Sequence, residues 1–288
     1  MFMTSRGWRS SEAMSDSPAF RVGIIIPARF ASTRYPAKPL ARIRGAGGQE
    51  RSLIERSWIA ALAVPGVERV VIATDDTRIA AEVQRFGGDC VMTPAECANG
   101  TERCAAALEA LGETFDVIIN LQGDALLTPA DVAVTVIEAM RQDPDLPVAT
   151  PALRCSRSLY AHLVEDQQAG RVGGTTVVTN HRSDALYFSK RVLPYIAPEV
   201  LDAAPGDAVP AWLHLGLYAY RPEALAAYRR MRPCAIEQLE GLEQLRFLHY
   251  GVRMAVVDCP PPGWDVIELN NPTDVPRIEA ILQQRGLD

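Results

Sequence analysis

The stretch VGIIIPARFASTRYPAKPL, residues 22–40, joins an almost wholly apolar run to a loop rich in basic residues. The apolar run VGIIIPA is short, which is typical of a strand buried on both faces of a parallel sheet. Further strand-like and helix-like segments alternate after it as far as about residue 153. This alternation predicts an α/β fold with an open, mostly parallel sheet and helices on both of its faces.

The predicted strands of this part are VGIIIPA (22–28), VERVVIATD (67–75), CVMTP (90–94), DVIINLQGD (116–124) and VATPAL (148–153). Helices are predicted at about 52–63, 77–88 and 101–112, and from about 129 onwards.

The middle of the chain has a different predicted secondary structure, because residues 172–220 are rich in strand-like and loop-like segments. Four prolines between Pro194 and Pro210 predict a surface loop. The α/β alternation returns with a helix at 237–251, a strand at 252–259 and a closing helix from about Thr273. We therefore expect one α/β domain, residues 21–288, with a smaller β-rich insertion at about 150–220 and a flexible leader at 1–20.

Composition excludes several classes of protein. The chain has 288 residues, 48% hydrophobic and 22% charged, with a formal net charge of −6. Nucleic-acid-binding proteins usually carry a basic excess, and no apolar run here approaches the roughly 20 residues of a membrane helix. The six cysteines form no CxxC pair, and the first 20 residues lack the apolar segment of a signal peptide. We expect a cytoplasmic protein with no membrane insertion and no nucleic-acid partner.

The loop that follows the first strand is a candidate phosphate-binding site. It carries Arg29, Arg34 and Lys38 among small residues, and small side chains let backbone N–H groups approach an anion. Ligands of open α/β sheets bind beyond the carboxyl ends of the strands, where this loop begins. A solvated basic loop is the alternative interpretation. The loop matches neither the Walker A nor the GxGxxG pattern, and the glycines at 45–48 are predicted to form a turn.

Three other segments end strands or begin helices on the same predicted edge. Asp124 closes the strand DVIINLQGD, where a lone carboxylate can hold Mg²⁺ beside phosphates, and Gln122 can bond a base or a sugar. A simple turn at Gly123 and Asp124 that ends the strand is the alternative interpretation of this segment. The other two segments are ATDD, which contains Thr74 and Asp75, and NGTER, residues 99–103. Together the segments predict a nucleotide pocket, although NGTER alone could be an ordinary helix cap.

Seven segments in this order resemble the CMP-Kdo synthetase family, the 3-deoxy-manno-octulosonate cytidylyltransferases. They are PARFASTRYPAKPL, ATD, NGTER, LQGD, LYFSK, HLGLYAY and EQLRFLHYG, and the resemblance runs from about residue 22 to the C-terminus. It implies a Rossmann-like fold of the nucleotide-diphospho-sugar transferase type. It also implies transfer of CMP from CTP to the anomeric hydroxyl of Kdo with release of pyrophosphate, a Mg²⁺ cofactor and a homodimer formed partly through the β-rich insertion.

The resemblance also implies roles for individual residues. Those on the nucleotide side are Ala28, Arg29, Arg34, Lys38, Thr74, Asp75, Gly100, Arg103 and Gln122. Those on the sugar-acid side are Lys190, His214, Tyr218, Glu243 and Gln244. Arg29, Lys38 and Asp124 are the expected catalytic residues, and Asp124 and Asn270 are the expected Mg²⁺ ligands.

Three positions depart from the family pattern. Ala125 replaces a carboxylate of the motif QGDEP, Asn270 stands where the family has a metal-binding aspartate, and Lys190 stands where arginine is common. Lysine cannot grip a carboxylate with the two parallel hydrogen bonds of arginine. The acceptor could therefore be Kdo or another acid, such as 8-amino-Kdo, a different ulosonic acid or a phosphonate. A non-catalytic nucleotide-binding subunit is a further alternative.

Overall fold

The computed structural model of the chain describes residues 20–31, 35–124, 126–203, 206–262, 264 and 268–288. Residues 1–19 of the predicted leader, Arg34 and Ala125 lie outside the described residues. The strands are β1 Val22–Ala28, β2 Arg42–Arg44, β3 Glu50–Ser52, β4 Arg69–Thr74, β5 Cys90–Met92, β6 Val117–Leu121, β7 Val148–Ser156, β8 Thr175–Thr179, β9 Ala185–Ser189, β10 Ala208–His214, β11 Leu217–Tyr220 and β12 Met254–Cys259. The helices are α1 Leu53–Leu62, α2 Thr77–Arg85, α3 Gly100–Leu111, α4 Ala130–Gln142, α5 Arg157–Gln168, α6 Pro198–Ala203, α7 Pro222–Arg230, α8 Ala235–Glu240, α9 Leu245–His249 and α10 Val275–Arg285.

One large mixed sheet organises the described residues. Its first half is the parallel run β5-β4-β1-β6, and β11 then pairs antiparallel with both β6 and β7. Strand β12 lies parallel to β7, while β10, β8 and β9 extend the sheet with antiparallel pairs. The strands of the β-rich region thus continue the same sheet. No helix in the described part of the chain has the length and apolar character of a membrane-spanning helix.

Strand β1 is buried from both sides, which confirms the prediction from its apolar sequence. Successive side chains of a strand point to opposite faces, so Ile24 and Ile26 pack in one core and Ile25 in another. Helices α1, α2 and α4 cover the first face, and helices α3, α7 and α9 cover the second. The α/β architecture with helices on both faces is therefore as expected.

Local details differ from the sequence-based expectation at three places. The helix predicted at 237–251 is two helices, α8 and α9, because Gly241 ends α8 with a positive φ of 61°. The proline-rich segment predicted as a loop contains helix α6 and the start of β10. Helix α5 falls inside the region predicted to be β-rich, where Ser156 caps it by accepting a hydrogen bond from the backbone of Leu159. The glycine turn at 45–48 joins β2 to β3, as predicted.

A buried ion-pair network joins α3 to α8 and α9. The guanidinium of Arg246 is 2% exposed and donates to Glu237 at 2.6 and 2.8 Å and to Glu102 at 2.8 Å. The guanidinium carbon also lies 4.2 Å from the ring centroid of Tyr228. This network connects the NGTER segment to the EQLRFLHYG segment, which are far apart in the sequence.

Replacing Arg246 with methionine should destabilise the fold by about 3–5 kcal/mol, because two carboxylates would lose their buried counter-charge. Urea denaturation of the full chain measures this free energy of unfolding. The control Arg21→Met removes an exposed ion pair with Glu68 and should have a far smaller effect. Equal effects of the two substitutions would contradict a structural role for the buried network.

Candidate active site

The carboxyl ends of the central parallel strands meet at one edge of the sheet. Ala28, the last residue of β1, pairs with Thr74, the last residue of β4, so the chain segments that follow them start side by side. Strand β6 lies on the other side of β1 and ends at Leu121, just before the predicted Gln122 and Asp124. The structure therefore brings the predicted nucleotide-side segments to one edge, as expected for an α/β ligand site.

Lys38 and Asp124 form an ion pair at this edge, between Nζ and Oδ2. The two side chains are only 19% and 18% exposed, so water screens their attraction less than it would on an open surface. Gly123 lets the chain before Asp124 pass close to β1, because a β-carbon there would lie 3.0 Å from the carbonyl oxygen of Pro27. The Ser57 hydroxyl donates to the Gly123 carbonyl at 2.9 Å and holds the turn in place.

The basic loop is tied to its neighbours at its described ends. Ala37 has a positive φ of 57°, and its N–H donates to the carbonyl of Phe30 at 3.2 Å, which closes the loop onto its own beginning. The guanidinium of Arg78 lies 3.3 Å from the ring centroid of Phe30, a cation–π contact with helix α2. Arg29, between β1 and Phe30, is exposed.

A second group of residues lies at the ends of β4 and β5. The buried guanidinium of Arg103 donates to the Thr93 hydroxyl at 2.6 Å and lies 3.3 Å from the carboxylate of Asp75. The Thr74 hydroxyl accepts from the N–H of Asp76 at 3.2 Å. Three of the predicted nucleotide-side residues, Thr74, Asp75 and Arg103, are therefore grouped together, with Arg103 already bonded within the protein.

Gly100 lies where predicted nucleotide-side and sugar-side residues meet. A β-carbon at Gly100 would lie 3.2 Å from Gln122 Nε2, 3.3 Å from Glu243 Oε1 and 3.4 Å from Asn120 Nδ2. We call this space the Gly100 cradle, lined by Gln122, Glu243 and Asn120. Two amide nitrogens can donate there and one carboxylate can accept, a combination that suits hydroxyl groups.

Glu243 is held over the start of helix α3. Its carboxylate accepts from the Thr101 hydroxyl at 3.1 Å and from the Thr101 N–H at 3.4 Å. The Thr101 hydroxyl is also 2.8 Å from the hydroxyl of Tyr220. Burial raises the pKa of the Glu243 carboxyl above its ordinary value, while the bonds from Thr101 oppose that shift.

His214 is a buried, neutral imidazole. Thr150 donates its hydroxyl proton to the carbonyl of Leu217 at 2.7 Å, so Thr150 can only accept from His214 Nε2, which lies 2.8 Å away. This arrangement places the imidazole proton on Nε2. Burial lowers the pKa of His214 to about 3. The ring packs edge-on against Phe188 and beside Tyr218, another predicted sugar-side residue.

The other two predicted sugar-side residues, Lys190 and Gln244, lie in different environments. Lys190 is exposed, its backbone N–H donates to Glu240 at 3.0 Å, and its Nζ lies 3.0 Å from where a β-carbon of Gly241 would be. Gln244 is 2% exposed, and its Nε2 has no hydrogen-bond partner among the described residues. The structure thus places Lys190 at the surface and Gln244 in the interior.

The two predicted Mg²⁺ ligands lie on adjacent segments. The N–H of Leu269 donates to the carbonyl of Asp124 at 3.4 Å, and the next residue, Asn270, donates its N–H to Asp274 at 2.9 Å. No group of three or more His, Cys, Asp or Glu side chains suited to a metal occurs in the described ranges. Mg²⁺ commonly uses one or two carboxylates together with waters and substrate phosphates. The Asp124 carboxylate fits that pattern without an all-protein cage.

Sequence reasoning missed two polar residues that the structure places beside the predicted ones. Thr150 sets the tautomer of His214, and Asn120 lines the Gly100 cradle. The signal for Asn120 was present, since it is the one polar residue of the buried strand VIINL. No local pattern marked Thr150, because its role depends on a partner 64 residues away.

His214 should make the fold less stable in acid. Its folded-state pKa of about 3 lies below the ordinary value of 6.5, so the unfolded chain binds a proton first as the pH falls. Stability is therefore lost progressively from about pH 6.5 towards pH 3. Between pH 6 and pH 4 the free energy of unfolding of His214→Gln should fall by about 2 kcal/mol less than that of wild type, as measured by urea denaturation. The exposed control His181→Gln should lose as much stability as wild type over this pH range. An equal loss in His214→Gln would contradict the description of His214 as a buried, neutral imidazole.

Comparisons with known proteins agree with this geometry. The family model described as "Cytidylyltransferase" matches residues 23–254. The "3-deoxy-manno-octulosonate cytidylyltransferase" of Maricaulis maris is 43% identical over 262 residues, which cover 91% of this chain and 97% of that protein. The protein of the same name from Escherichia coli is 36% identical over 264 residues, covering 91% and 96%.

Solved structures agree as well. A CMP:2-keto-3-deoxy-manno-octonic acid synthetase solved in complex with CTP is 34% identical, with a TM-score of 0.77 and coverage of 92% of this chain and 99% of that one. The 4-diphosphocytidyl-2C-methyl-D-erythritol synthase of Anaerococcus prevotii shares the fold, with a TM-score of 0.55 at 12% identity and coverage of 92% and 97%. The chain belongs to the cytidylyltransferase family, among the 3-deoxy-manno-octulosonate cytidylyltransferases.

Proposed function

We propose that this protein transfers CMP from CTP to the anomeric hydroxyl of a 3-deoxy-2-keto sugar acid, Kdo, and releases pyrophosphate. The activated sugar would serve lipopolysaccharide or capsule synthesis. The observation that carries the proposal is the Gly100 cradle. There Gly100 and Gln122 of the nucleotide side lie next to Glu243 of the sugar side. A site that joins a nucleotide to a sugar acid needs such a meeting point.

Charge neutralisation is the main task of the phosphate end. The triphosphate and the sugar acid are both anions, so they repel each other as the anomeric oxygen approaches the α-phosphorus. Lys38 and Arg29 supply positive charge where negative charge moves onto the departing pyrophosphate. Both side chains arise within the loop that follows β1, so a single segment can follow the triphosphate. No side-chain nucleophile is required.

Asp124 and Asn270 would hold Mg²⁺ beside the phosphates. When bound, Mg²⁺ supplies positive charge that stabilises the transferring phosphoryl group and acidifies a nearby hydroxyl. Lys38 pairs with Asp124 through Oδ2, so binding of Mg²⁺ to Asp124 and of a phosphate to Lys38 would both weaken this ion pair. Asn270 can contribute an amide oxygen without charge, so Asp124 would carry the electrostatic part of the binding.

The sugar end would recognise hydroxyl groups by neutral and acidic acceptors. His214 stays neutral, and Tyr218 keeps its proton because burial raises the pKa of its phenol far above the ordinary value. At the Gly100 cradle Glu243 is positioned to accept from a sugar hydroxyl, and the amide nitrogen of Gln122 is positioned to donate to one. Lys190, at the surface, would attract the carboxylate of the sugar acid as a mobile point charge.

We also propose a cytoplasmic homodimer. Strand β9 is an edge of the sheet and presents Leu186, which is 59% exposed. The adjoining helix α8 presents Leu239, which is 86% exposed, and Glu240 fixes α8 to β9 by accepting from Ser189 at 2.7 Å. Exposed apolar side chains beside an open strand edge are suited to a second protomer.

Pyrophosphate release from CTP and Mg²⁺ tests the proposed function. The purified protein is assayed with Kdo, 8-amino-Kdo, a sialic acid and a simple phosphonate. We expect release with Kdo. Release only with an acid other than Kdo would show that the departures from the family pattern at Lys190 and Asn270 occur together with a different acceptor. If no acid gives pyrophosphate release while calorimetry still detects CTP binding, the proposed activity is contradicted and a non-catalytic nucleotide-binding role is favoured.

Asp124→Asn should reduce kcat/KM about 10²–10³-fold, because the substitution keeps the shape of the side chain but removes its charge from the metal site. Steady-state pyrophosphate release at saturating Mg²⁺ provides the measurement. The exposed Asp131→Asn serves as a matched control and should retain wild-type kinetics. Near-normal activity of Asp124→Asn would exclude Asp124 as the principal metal ligand.

A further inference from the structure

Asn120 is an anomaly in the centre of the sheet. It is completely buried in β6, where the other four residues are apolar. Its Oδ1 accepts from Gln122 Nε2 at 3.2 Å, but its Nδ2 has no hydrogen-bond partner among the described residues. A buried, half-satisfied amide costs stability, and such groups in a native fold call for an explanation.

The surroundings of Asn120 point to the sugar-binding end. Its Nδ2 faces the Gly100 cradle, 3.4 Å from the position of a Gly100 β-carbon. Its cross-strand partner in β11 is Tyr218, so the two side chains leave the same face of the sheet. Gln244, next in sequence to Glu243, has a second buried amide nitrogen, Nε2, without a partner in the described part of the chain.

The bond between Asn120 and Gln122 determines which end of the Gln122 amide faces outward. The Gln122 nitrogen is turned inward, towards Asn120 Oδ1 and the cradle. Its carbonyl oxygen Oε1 is therefore left for a ligand. Without Asn120 the Gln122 amide could rotate, and a donor would then compete with the acceptor at that position.

We propose that Asn120 is a positioning residue for the acceptor sugar: it orients Gln122 so that the carbonyl oxygen of Gln122 accepts a hydrogen bond from a sugar hydroxyl. This inference rests on the proposed function, and it assigns Gln122, which the resemblance places on the nucleotide side, to the sugar acid instead. Asn120 acts through Gln122, while Lys38 and Asp124 serve the triphosphate. Loss of Asn120 should therefore weaken use of the sugar acid and leave use of CTP unchanged.

The test compares wild type with Asn120→Leu, Asn120→Asp and the control Ile118→Val, which lies two residues away on the same face of β6. Each protein is assayed for pyrophosphate release with Kdo and CTP varied in turn, and its Tm is measured. We expect Asn120→Leu to raise KM for Kdo about tenfold, the value of one hydrogen bond, with KM for CTP and kcat unchanged. Its Tm should equal or exceed that of wild type, because an apolar side chain replaces an unsatisfied amide.

The other two variants separate positioning from simple packing. Asn120→Asp keeps an oxygen that can accept from Gln122 Nε2, so its KM for Kdo should lie closer to wild type than that of Asn120→Leu. Ile118→Val should lower Tm without changing any kinetic constant. An unchanged KM for Kdo in Asn120→Leu, or equal rises in KM for Kdo and CTP, would overturn the inference. An inactive wild type would instead overturn the proposed function, and this inference with it.

Discussion

The central strands are buried on both faces, and this constraint governs where polar chemistry can occur. Along β1 and β6 almost every side chain packs into one of two apolar cores. Charged groups can therefore gather only beyond the ends of these strands, where Arg29 and Asp124 lie. Because parallel strands end at a common edge, segments distant in sequence meet there. The position of the site therefore follows from the parallel arrangement of the buried strands.

The Lys38–Asp124 ion pair connects this architecture to function. Each partner neutralises the other in the ligand-free protein, and each has a different proposed ligand, a phosphate for Lys38 and Mg²⁺ for Asp124. A ligand that takes one partner leaves the other charge uncompensated in a mostly buried position. The pair therefore favours joint binding of the metal and the triphosphate over binding of either one alone.

Periodicity was sufficient to predict the strand–helix alternation, because it depends on local sequence. The general rule for α/β sheets was sufficient to predict that the polar segments after the strands meet at one edge. The break at Gly241 was not predicted, since glycine within an amphipathic segment does not reveal its backbone angle. Contacts such as Thr101 with Glu243 join residues 142 positions apart, and no local pattern encodes them. Asn120 could be recognised as an unusual polar residue, but its orienting bond to Gln122 required side-chain geometry.

Binding of metal-free CTP tests the account most directly. Calorimetry in the presence of a chelator compares wild type with Asp124→Asn and Lys38→Met. If the ion pair faces the triphosphate, Asp124→Asn should bind CTP more tightly than wild type, because Lys38 is released and a repelling carboxylate is removed. Lys38→Met should bind more weakly. Equal or weaker binding by Asp124→Asn would contradict the placement of the phosphates at this pair.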